Sequence, residues 1–242
     1  MVSKNQIKLI TGLQQKKYRK EYKLFIAEGV KVVQELLNSY FELQELYSTQ
    51  RGFTTVPDEK ITHINAAELK KISALTTPNT CLAVFKIPNE KQPVNKGLIM
   101  ALDDVRDPGN MGTIIRLCDW FGIENIICSE NSVDMYNPKV VQATMGSLAR
   151  VNVAYTNLSA YIAESGLPIY GTFMDGENIY TQNLPAEGII VMGNESNGIS
   201  DAVAKLVTEK IAIPRFGKLQ ETESLNVATA AGIILSEFKR NR

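Results

Sequence analysis

Short apolar runs alternate with segments of helical periodicity along almost the whole chain. The apolar runs predict strands at residues 22–26, 43–47, 61–64, 81–85, 98–102, 124–128, 150–154, 169–173, 188–193 and 211–213. Between them, apolar positions three and four residues apart predict helices at residues 3–20 (broken at Gly12), 30–37, 66–71, 110–120, 138–146, 158–164 and 224–238. The last helix is expected to begin at Ser224, a residue suited to an N-cap. This alternation is typical of the α/β class, and from residue 98 onward it predicts a parallel sheet covered by helices on both faces.

A polar segment divides the chain into two parts. Residues 88–93 contain two prolines and show no periodicity, which is typical of a linker. We therefore expect a small α/β domain at residues 1–90, a linker at 91–96 and a larger α/β domain at 97–242.

Positive charge is concentrated near the amino terminus, although the 242 residues carry no net charge. Residues 1–23 hold seven Lys or Arg residues against one Glu, an excess of six positive charges. A cluster that includes Lys16, Lys17, Arg19 and Lys20 suits a phosphate-binding face, and it suits the solvated face of a helix equally well.

The cysteines and the single histidine argue against several kinds of chemistry. Cys81, Cys118 and Cys128 are far apart in apolar surroundings, so we expect neither a metal site nor a disulfide framework, which fits a reducing cytoplasm. His63 lies in an alternating segment and is expected in a strand rather than as a catalytic base. The sequence shows no signal peptide and no apolar run of membrane-spanning length, so a cytoplasmic location is expected.

Distinctive polar segments follow three of the predicted strands. They are Asn-Met-Gly-Thr-Ile-Ile-Arg at residues 110–116, Gly-Asn-Glu-Ser-Asn-Gly-Ile at 193–199, and Ile-Pro at 213–214 with Ser-Leu-Asn at 224–226. Ligands of open parallel sheets bind where loops leave the carboxyl ends of the strands, and all three segments lie there. A dinucleotide-binding oxidoreductase is disfavoured, because no G-x-G-x-x-G follows the first strand of either domain.

Taken in this order, the three segments resemble the three motifs of the SpoU/TrmH branch of the SPOUT methyltransferases. The resemblance covers residues 97–240, and Lys-Tyr-Arg at 17–19 with Phe-Ile-Ala-Glu-Gly at 25–29 is similar to the family's ribosomal-protein-like RNA-binding domain. The resemblance implies a homodimer whose carboxyl-terminal chain forms a trefoil knot, an exception to the usual topology. It also implies methyl transfer from S-adenosylmethionine to a ribose 2′-hydroxyl of ribosomal or transfer RNA. The additional amino-terminal domain favours ribosomal RNA by analogy.

The resemblance also implies roles for individual residues. It assigns the reaction to Asn110, Arg116, Glu195, Ser224 and Asn226. It assigns the cofactor to closely approaching loops that contain Met192, Gly193, Asn194, Gly198, Ile213, Pro214, Ser224 and Leu225. RNA contacts are expected from Lys16, Lys17, Arg19, Lys20 and Arg116, and no metal ion is expected.

Purely structural roles remain open for some of these residues. Asn110 and Ser224 suit helix caps, and Glu195 suits an acceptor for loop amides. Arg116 has no such explanation, because it interrupts an apolar helical face, whereas its fork of donors suits a phosphate. A catalytically silent RNA-binding protein that assists ribosome assembly is the alternative function, and the presence of all the motif residues together argues against it.

The third segment departs from the family pattern. Residues 215–223 separate Pro214 from Ser224, a longer gap than the family usually shows, and Arg215 stands where an apolar residue is usual. We still assign Ser-Leu-Asn at residues 224–226 to the third motif of the family. The shape of the longer loop at residues 215–223 does not follow from the motif.

Overall fold

The computed structural model describes residues 1–217, 219 and 224–240, so part of the lengthened segment 215–223 lies outside the described residues. The helices are α1 (Lys4–Gly12), α2 (Lys16–Tyr22), α3 (Val30–Leu37), α4 (Ala66–Ile72), α5 (Pro108–Phe121), α6 (Pro138–Thr144), α7 (Leu158–Ser165), α8 (Asp201–Ala204) and α9 (Val227–Lys239). The strands are β1 (Leu24–Glu28), β2 (Leu43–Ser48), β3 (Ile61–His63), β4 (Cys81–Lys86), β5 (Leu98–Leu102), β6 (Asn125–Ser129), β7 (Asn152–Thr156), β8 (Ile169–Asn178), β9 (Gly188–Met192) and β10 (Glu209–Ala212).

The ten predicted strands are all confirmed, and the differences from the prediction concern helices and strand ends. The prediction omitted α8, because its four residues are too few to show helical periodicity. The start of α9 was also predicted wrongly, since Asn226 rather than Ser224 caps it. The Asn226 side chain accepts hydrogen bonds from the N–H groups of Ala228 at 3.0 Å and Thr229 at 3.2 Å, so the first turn of the helix has its acceptor there.

The chain divides into two compact units. The first comprises Met1–Asn89 with Asp134–Ala149, and the second comprises Glu90–Val133 with Arg150–Arg242. The segment Asp134–Ala149 carries α6 and is grouped with the first unit, although it lies within the sequence range expected for the larger domain.

The first unit is built on a mixed sheet with the strand order β1-β4-β2-β3. The pairs β1–β4 and β2–β4 are antiparallel, and β2–β3 is parallel. A core cluster brings α1, α4 and the sheet together, with fully buried side chains that include Ile10, Leu13, Tyr47, Ile72 and Leu82.

An aromatic cluster joins the segment Asp134–Ala149 to this sheet. The Phe25 ring of β1 lies 5.2 Å from Phe41 and 4.7 Å from Tyr136, measured between centroids. Such aromatic pairs contribute about 0.5–1.5 kcal/mol beyond their buried area. The segment is therefore part of the hydrophobic interior of the first unit.

The second unit is built on a six-stranded parallel sheet with the order β10-β8-β9-β5-β6-β7, which confirms the predicted parallel sheet. The central strands β5 and β9 are buried along their whole length. The chain proceeds from β5 to β6 and β7 on one side, and then places β8, β9 and β10 on the other. The strand order therefore reverses between β5 and β9, and a ligand crevice is expected at their carboxyl ends.

In the part of the chain that the structure describes, no helix has both the length and the apolarity needed to span a bilayer. The same residues contain no group of three or more His, Cys, Asp or Glu side chains arranged to hold a metal ion.

Candidate active site

Three loops of the second unit meet at the carboxyl edge of its sheet. The first loop (residues 103–107) follows β5, the second loop (residues 193–200) follows β9, and the third loop lies between β10 and α9. These are the loops in which the sequence placed its candidate residues.

A chain of side-chain hydrogen bonds connects the three loops. Asn226, at the end of the third loop, donates from Nδ2 to Oδ1 of Asn110 at 2.8 Å. Asn110, in the first turn of α5, donates from its own Nδ2 to Oε1 of Glu195 at 3.0 Å. Three of the predicted catalytic residues are thus brought into direct contact, and each fixes the orientation of the next.

Glu195 also holds the backbone of the first loop. Its carboxylate accepts hydrogen bonds from the N–H groups of Arg106 at 3.4 Å and Asp107 at 3.3 Å. Burial raises the pKa of Glu195, but the hydrogen bonds from Asn110 and from the loop N–H groups outweigh it, and the pKa lies below its usual value. Glu195 is therefore ionised at neutral pH and acts as an acceptor that positions its neighbours, not as a strong base.

Two acidic residues that the sequence reasoning missed fasten the first loop to the second. Asp103 is 5% exposed, and its Oδ2 accepts from the N–H of Ser200 at 2.7 Å. The carbonyl of Asp104 accepts from Nδ2 of Asn194 at 2.7 Å. Both ends of the second loop are therefore held from the first. The acidic doublet directly after a fully apolar strand was the available signal in the sequence.

Asn194 and Gly198 shape the second loop from within. Their backbones form an antiparallel bridge, with N–H to carbonyl distances of 2.9 and 3.0 Å. The side chain of Asn194 also accepts from the N–H groups of Ser196 and Asn197. The polar groups of Asn194 and Gly198 are thus engaged inside the protein. Both residues determine the form of the second loop, and their role as cofactor-binding residues stays a prediction.

Glycine is required at position 193 because the backbone of Gly198 and Ile199 lies very close to it. A Cβ atom at this position would lie 2.2 Å from the carbonyl carbon of Gly198 and 2.3 Å from the nitrogen of Ile199. No side chain larger than hydrogen fits without moving the backbone of the second loop.

The free backbone groups suit a ligand that is read by the main chain. Among the residues that the structure describes, the N–H and carbonyl groups of Gly193, Ile213 and Leu225 have no hydrogen-bond partner. Met192 is buried, Ile213 and Pro214 are half-buried, and Leu225 is 48% exposed. Free donors and acceptors beside apolar side chains fit the adenine of the predicted cofactor.

Arg116 stands apart from the hydrogen-bonded chain. It is exposed on α5, and it has no hydrogen-bond or ion-pair partner among the described residues. Six residues of helix turn it about 120° away from Asn110 around the helix axis. Thr113 and Trp120 share its exposed face, and Trp120 is 83% exposed. Ser224 is likewise exposed.

The amino-terminal basic residues differ sharply in exposure. Lys16, Lys17 and Lys20 are exposed, as a phosphate-binding face requires. Arg19 is 2% exposed, and its Nε and Nη2 donate to one oxygen of Asp134 at 2.9 and 2.6 Å. The prediction of Arg19 as an RNA contact is therefore wrong. Its partner lies 115 residues away, and nothing in the basic run indicated it.

The fold and the site together define an RNA methyltransferase. The model of the SpoU rRNA Methylase family matches residues 97–236, and the model of the MRM3-like substrate binding domain matches residues 4–83. The chain belongs to the SpoU rRNA methylase family. S-adenosylmethionine is its cofactor, and the backbone groups described above fit it.

Individual relatives are similar over the whole chain. RlmP of Bacillus subtilis (strain 168), a 23S rRNA (guanosine(2553)-2′-O)-methyltransferase, is 31% identical over 98% of this chain and 97% of its own. A TrmH-family protein from Porphyromonas gingivalis is 41% identical, with a TM-score of 0.90 and full coverage of both chains (100% and 100%). The AdoMet-bound rRNA methyltransferase of Sinorhizobium meliloti is 29% identical, with a TM-score of 0.86 over 100% of this chain and 97% of its own.

Proposed function

We propose that this enzyme methylates the 2′-hydroxyl of a ribose in ribosomal RNA, with S-adenosylmethionine as the methyl donor. The observation that carries the proposal is the hydrogen-bonded chain from Asn226 through Asn110 to Glu195, which unites three loops at the edge where ligands of parallel sheets bind. The full-length similarity to a 23S rRNA methyltransferase supports ribosomal RNA as the substrate. A catalytically silent assembly factor would not need this set of side chains held in one arrangement.

The cofactor supplies an electrophilic methyl group on a sulfonium, so the protein must align the ribose oxygen and help remove one proton. Gly193, Ile213 and Leu225 hold the cofactor through backbone groups. Arg116 binds the phosphate beside the target ribose through its exposed guanidinium. The proton of the 2′-hydroxyl leaves to an oxygen of that phosphate, which Arg116 positions.

Asn226 and Ser224 hold the target nucleotide in this scheme. The orientation of Asn226 is set by Asn110, and that of Asn110 by ionised Glu195. Glu195 and Asn110 therefore serve as positioning residues.

The first unit binds RNA in this proposal, and the second carries out the transfer. The match of residues 4–83 to a substrate binding domain supports the first assignment, as does the exposure of Lys16, Lys17 and Lys20. We assign the first unit the ribosomal-protein-like fold expected from the sequence, and we place the enzyme in the cytoplasm.

The finer architecture is also part of the proposal. We assign a trefoil knot to the carboxyl-terminal chain, as the resemblance to the SpoU/TrmH family implies. We propose a homodimer in which the exposed face of α5 meets a second copy. An indole that is 83% exposed at Trp120 supports a protein contact on this face, since large apolar surface is normally covered. Arg116 lies on the same face, so the two active sites are composite.

Mapping of 2′-O-methyl positions in total RNA with and without the protein tests the activity. A position in ribosomal RNA that loses its methyl group when the protein is absent supports the proposal, and an unchanged map overturns it.

Calorimetry with S-adenosylmethionine in the presence of a chelator tests the cofactor site. Binding that requires a metal ion would contradict it.

Arg116→Ala is expected to abolish tritiated methyl incorporation into ribosomal RNA while cofactor affinity stays unchanged. Arg116→Lys should keep the charge but lose the bidentate fork, and so retain only part of the activity. Co-expression of Arg116→Ala and Asn226→Ala subunits should restore activity at one site of each heterodimer. A fully active Arg116→Ala enzyme would refute the assignment, and absence of rescue would refute the composite site.

A further inference from the structure

Arg106, in the first loop, carries a second exposed guanidinium, and it lies outside the three sequence motifs. Its side chain is 67% exposed, and its Nε donates to Oδ1 of Asp104 at 2.8 Å. Its two terminal nitrogens have no partner among the residues that the structure describes. One edge of the guanidinium is therefore fixed, and the other edge presents free donors to solvent.

The carboxylate that holds Arg106 stands on a fixed backbone. Asp104 has a φ of 59°, in the left-handed region that is uncommon for a residue other than glycine. Its N–H donates to Oγ of Ser129 at 2.7 Å, and its carbonyl accepts from Asn194 at 2.7 Å. Because the backbone is held on both sides, the position of Asp104 and the direction of Arg106 are set together.

Stability alone does not account for this arrangement. An exposed ion pair contributes about 0–1 kcal/mol, and a loop in an unusual conformation gains little from it. The charge surroundings suggest a different use. The carboxylates of Asp104 and Glu195 lie close to Arg106 and would repel an RNA backbone. Arg106 offsets that repulsion and leaves a planar pair of donors, which matches phosphate geometry.

We propose that Arg106 binds a phosphodiester of the RNA chain close to the methylated ribose, and that Asp104 positions it for this contact. The inference rests on the proposed function, because it takes RNA as the substrate. It adds a phosphate contact from the first loop to the one assigned to Arg116.

Binding of in vitro transcribed large-subunit ribosomal RNA, measured at several salt concentrations, tests the inference. Arg106→Ala is expected to weaken RNA binding roughly tenfold, as for a charge-assisted hydrogen bond, and to lower the salt slope by about 0.7–0.9 for one phosphate contact. Arg106→Lys should keep the salt slope and lose part of the affinity. Asp104→Asn should weaken RNA binding by less than Arg106→Ala, because Arg106 remains but is no longer held by a charge.

Arg150→Ala is the matched control. Arg150 forms an ion pair with Asp119 at 2.9 Å and is 48% exposed, so it resembles Arg106 in having an acidic partner and an exposed side chain. Asp119 lies at the carboxyl end of α5, whereas Arg106 lies just before the amino end of that helix. Its removal should change neither RNA affinity nor salt slope. S-adenosylmethionine affinity should be unchanged in all variants.

Two results would overturn the inference. The first is wild-type RNA affinity and salt slope in Arg106→Ala. The second is a loss of cofactor affinity in that variant, which would make Arg106 a structural residue of the loop. These results are distinguishable from failure of the proposed function, in which the wild-type protein transfers no methyl group to ribosomal RNA whatever Arg106 does.

Discussion

Asn226 and Asn110 lie 116 residues apart in the chain, and their side-chain amides meet at 2.8 Å. The same Asn226 side chain uses its oxygen to cap α9 and its nitrogen to reach Asn110. One residue thus has a folding role and a site role on two different atoms, and these roles can be separated by mutation.

Asn226→Asp is predicted to preserve folding and lose activity. Aspartate caps a helix as well as asparagine does, so α9 should keep its cap. The new carboxylate cannot donate to Oδ1 of Asn110, so the link is lost. Thermal unfolding together with methyl incorporation checks this. Asn226→Ala is the comparison, since it should also lose about 1 kcal/mol of stability. An active Asn226→Asp enzyme would show that the link is dispensable.

The pH dependence of the loops should follow Glu195. Its pKa is lowered in the folded protein relative to the usual value of 4.5, so its stabilising contribution is present above pH 4.5 and is lost as the pH falls through the lowered value. The range from pH 6 to 8 lies wholly above 4.5, so Glu195 stays ionised throughout it. Cofactor affinity should therefore not change in this range through titration of Glu195. Glu195→Gln should weaken cofactor binding at neutral pH, because its amide NH2 would face the loop N–H groups. Unchanged affinity in Glu195→Gln would contradict this role.

Gly193→Ala is predicted to abolish cofactor binding. The added Cβ would lie 2.2 Å from backbone of the same loop, which cannot move without breaking its hydrogen bonds. Gly232→Ala in α9 is the control, since its Cβ would meet Leu117 at an ordinary 3.6 Å. That change should raise stability by about 0.5–1 kcal/mol. Calorimetric titration and thermal unfolding of both variants distinguish a steric effect on the loop from a general effect of alanine.

Removal of Lys16, Lys17 and Lys20 should reduce RNA affinity and its salt dependence without changing stability. Each lost phosphate contact lowers the salt slope by about 0.7–0.9.

Arg19→Ala should lower stability and leave the salt dependence of RNA binding unchanged. The substitution removes the ion-pair partner of Asp134 from a site where Arg19 is 2% exposed. Breaking such a buried pair costs about 3–5 kcal/mol. Equal stability of the Arg19→Ala and wild-type proteins in urea would be incompatible with the ion pair.

The three thiols should not react in the native protein. Burial raises the pKa of Cys81 to about 12, and it also raises the pKa of Cys118 and of Cys128. Titration with a thiol reagent at pH 8 should therefore detect no rapid reaction until guanidinium is added, when all three should react. Immediate modification of one cysteine in the native protein would show that its surroundings open.

The sequence was sufficient to predict the sheet and the meeting of Asn110, Glu195 and Asn226, because both follow from local patterns. Apolar runs located β5 and β9, and the polar segments after them located Asn110 and Glu195. The Arg19–Asp134 pair could not be predicted, because it depends on a contact between distant segments and a basic run carries no sign of its partner. The cap of α9 was misplaced by two residues, because Ser224 and Asn226 are equally good N-caps and only the geometry chooses between them.

The roles of residues in the second loop were also only partly predictable from the sequence. The glycines and Asn194 of this loop are predicted to bind the cofactor, and the structure shows in addition that Asn194 and Gly198 build the loop. The glycines of this loop indicate that its backbone lies very close to another group. They do not say whether that group is a ligand or the loop's own backbone.

The grouping of Asp134–Ala149 with the first unit has a consequence for synthesis on the ribosome. When residues 1–89 have emerged, the guanidinium of Arg19 and the ring of Phe25 still lack Asp134 and Tyr136, which are translated later. The first unit therefore cannot reach its final form before about a third of the second has been made. An excised fragment that ends at residue 89 would keep an unpaired internal charge and an uncovered aromatic surface, and a soluble version of this unit would have to include the later segment.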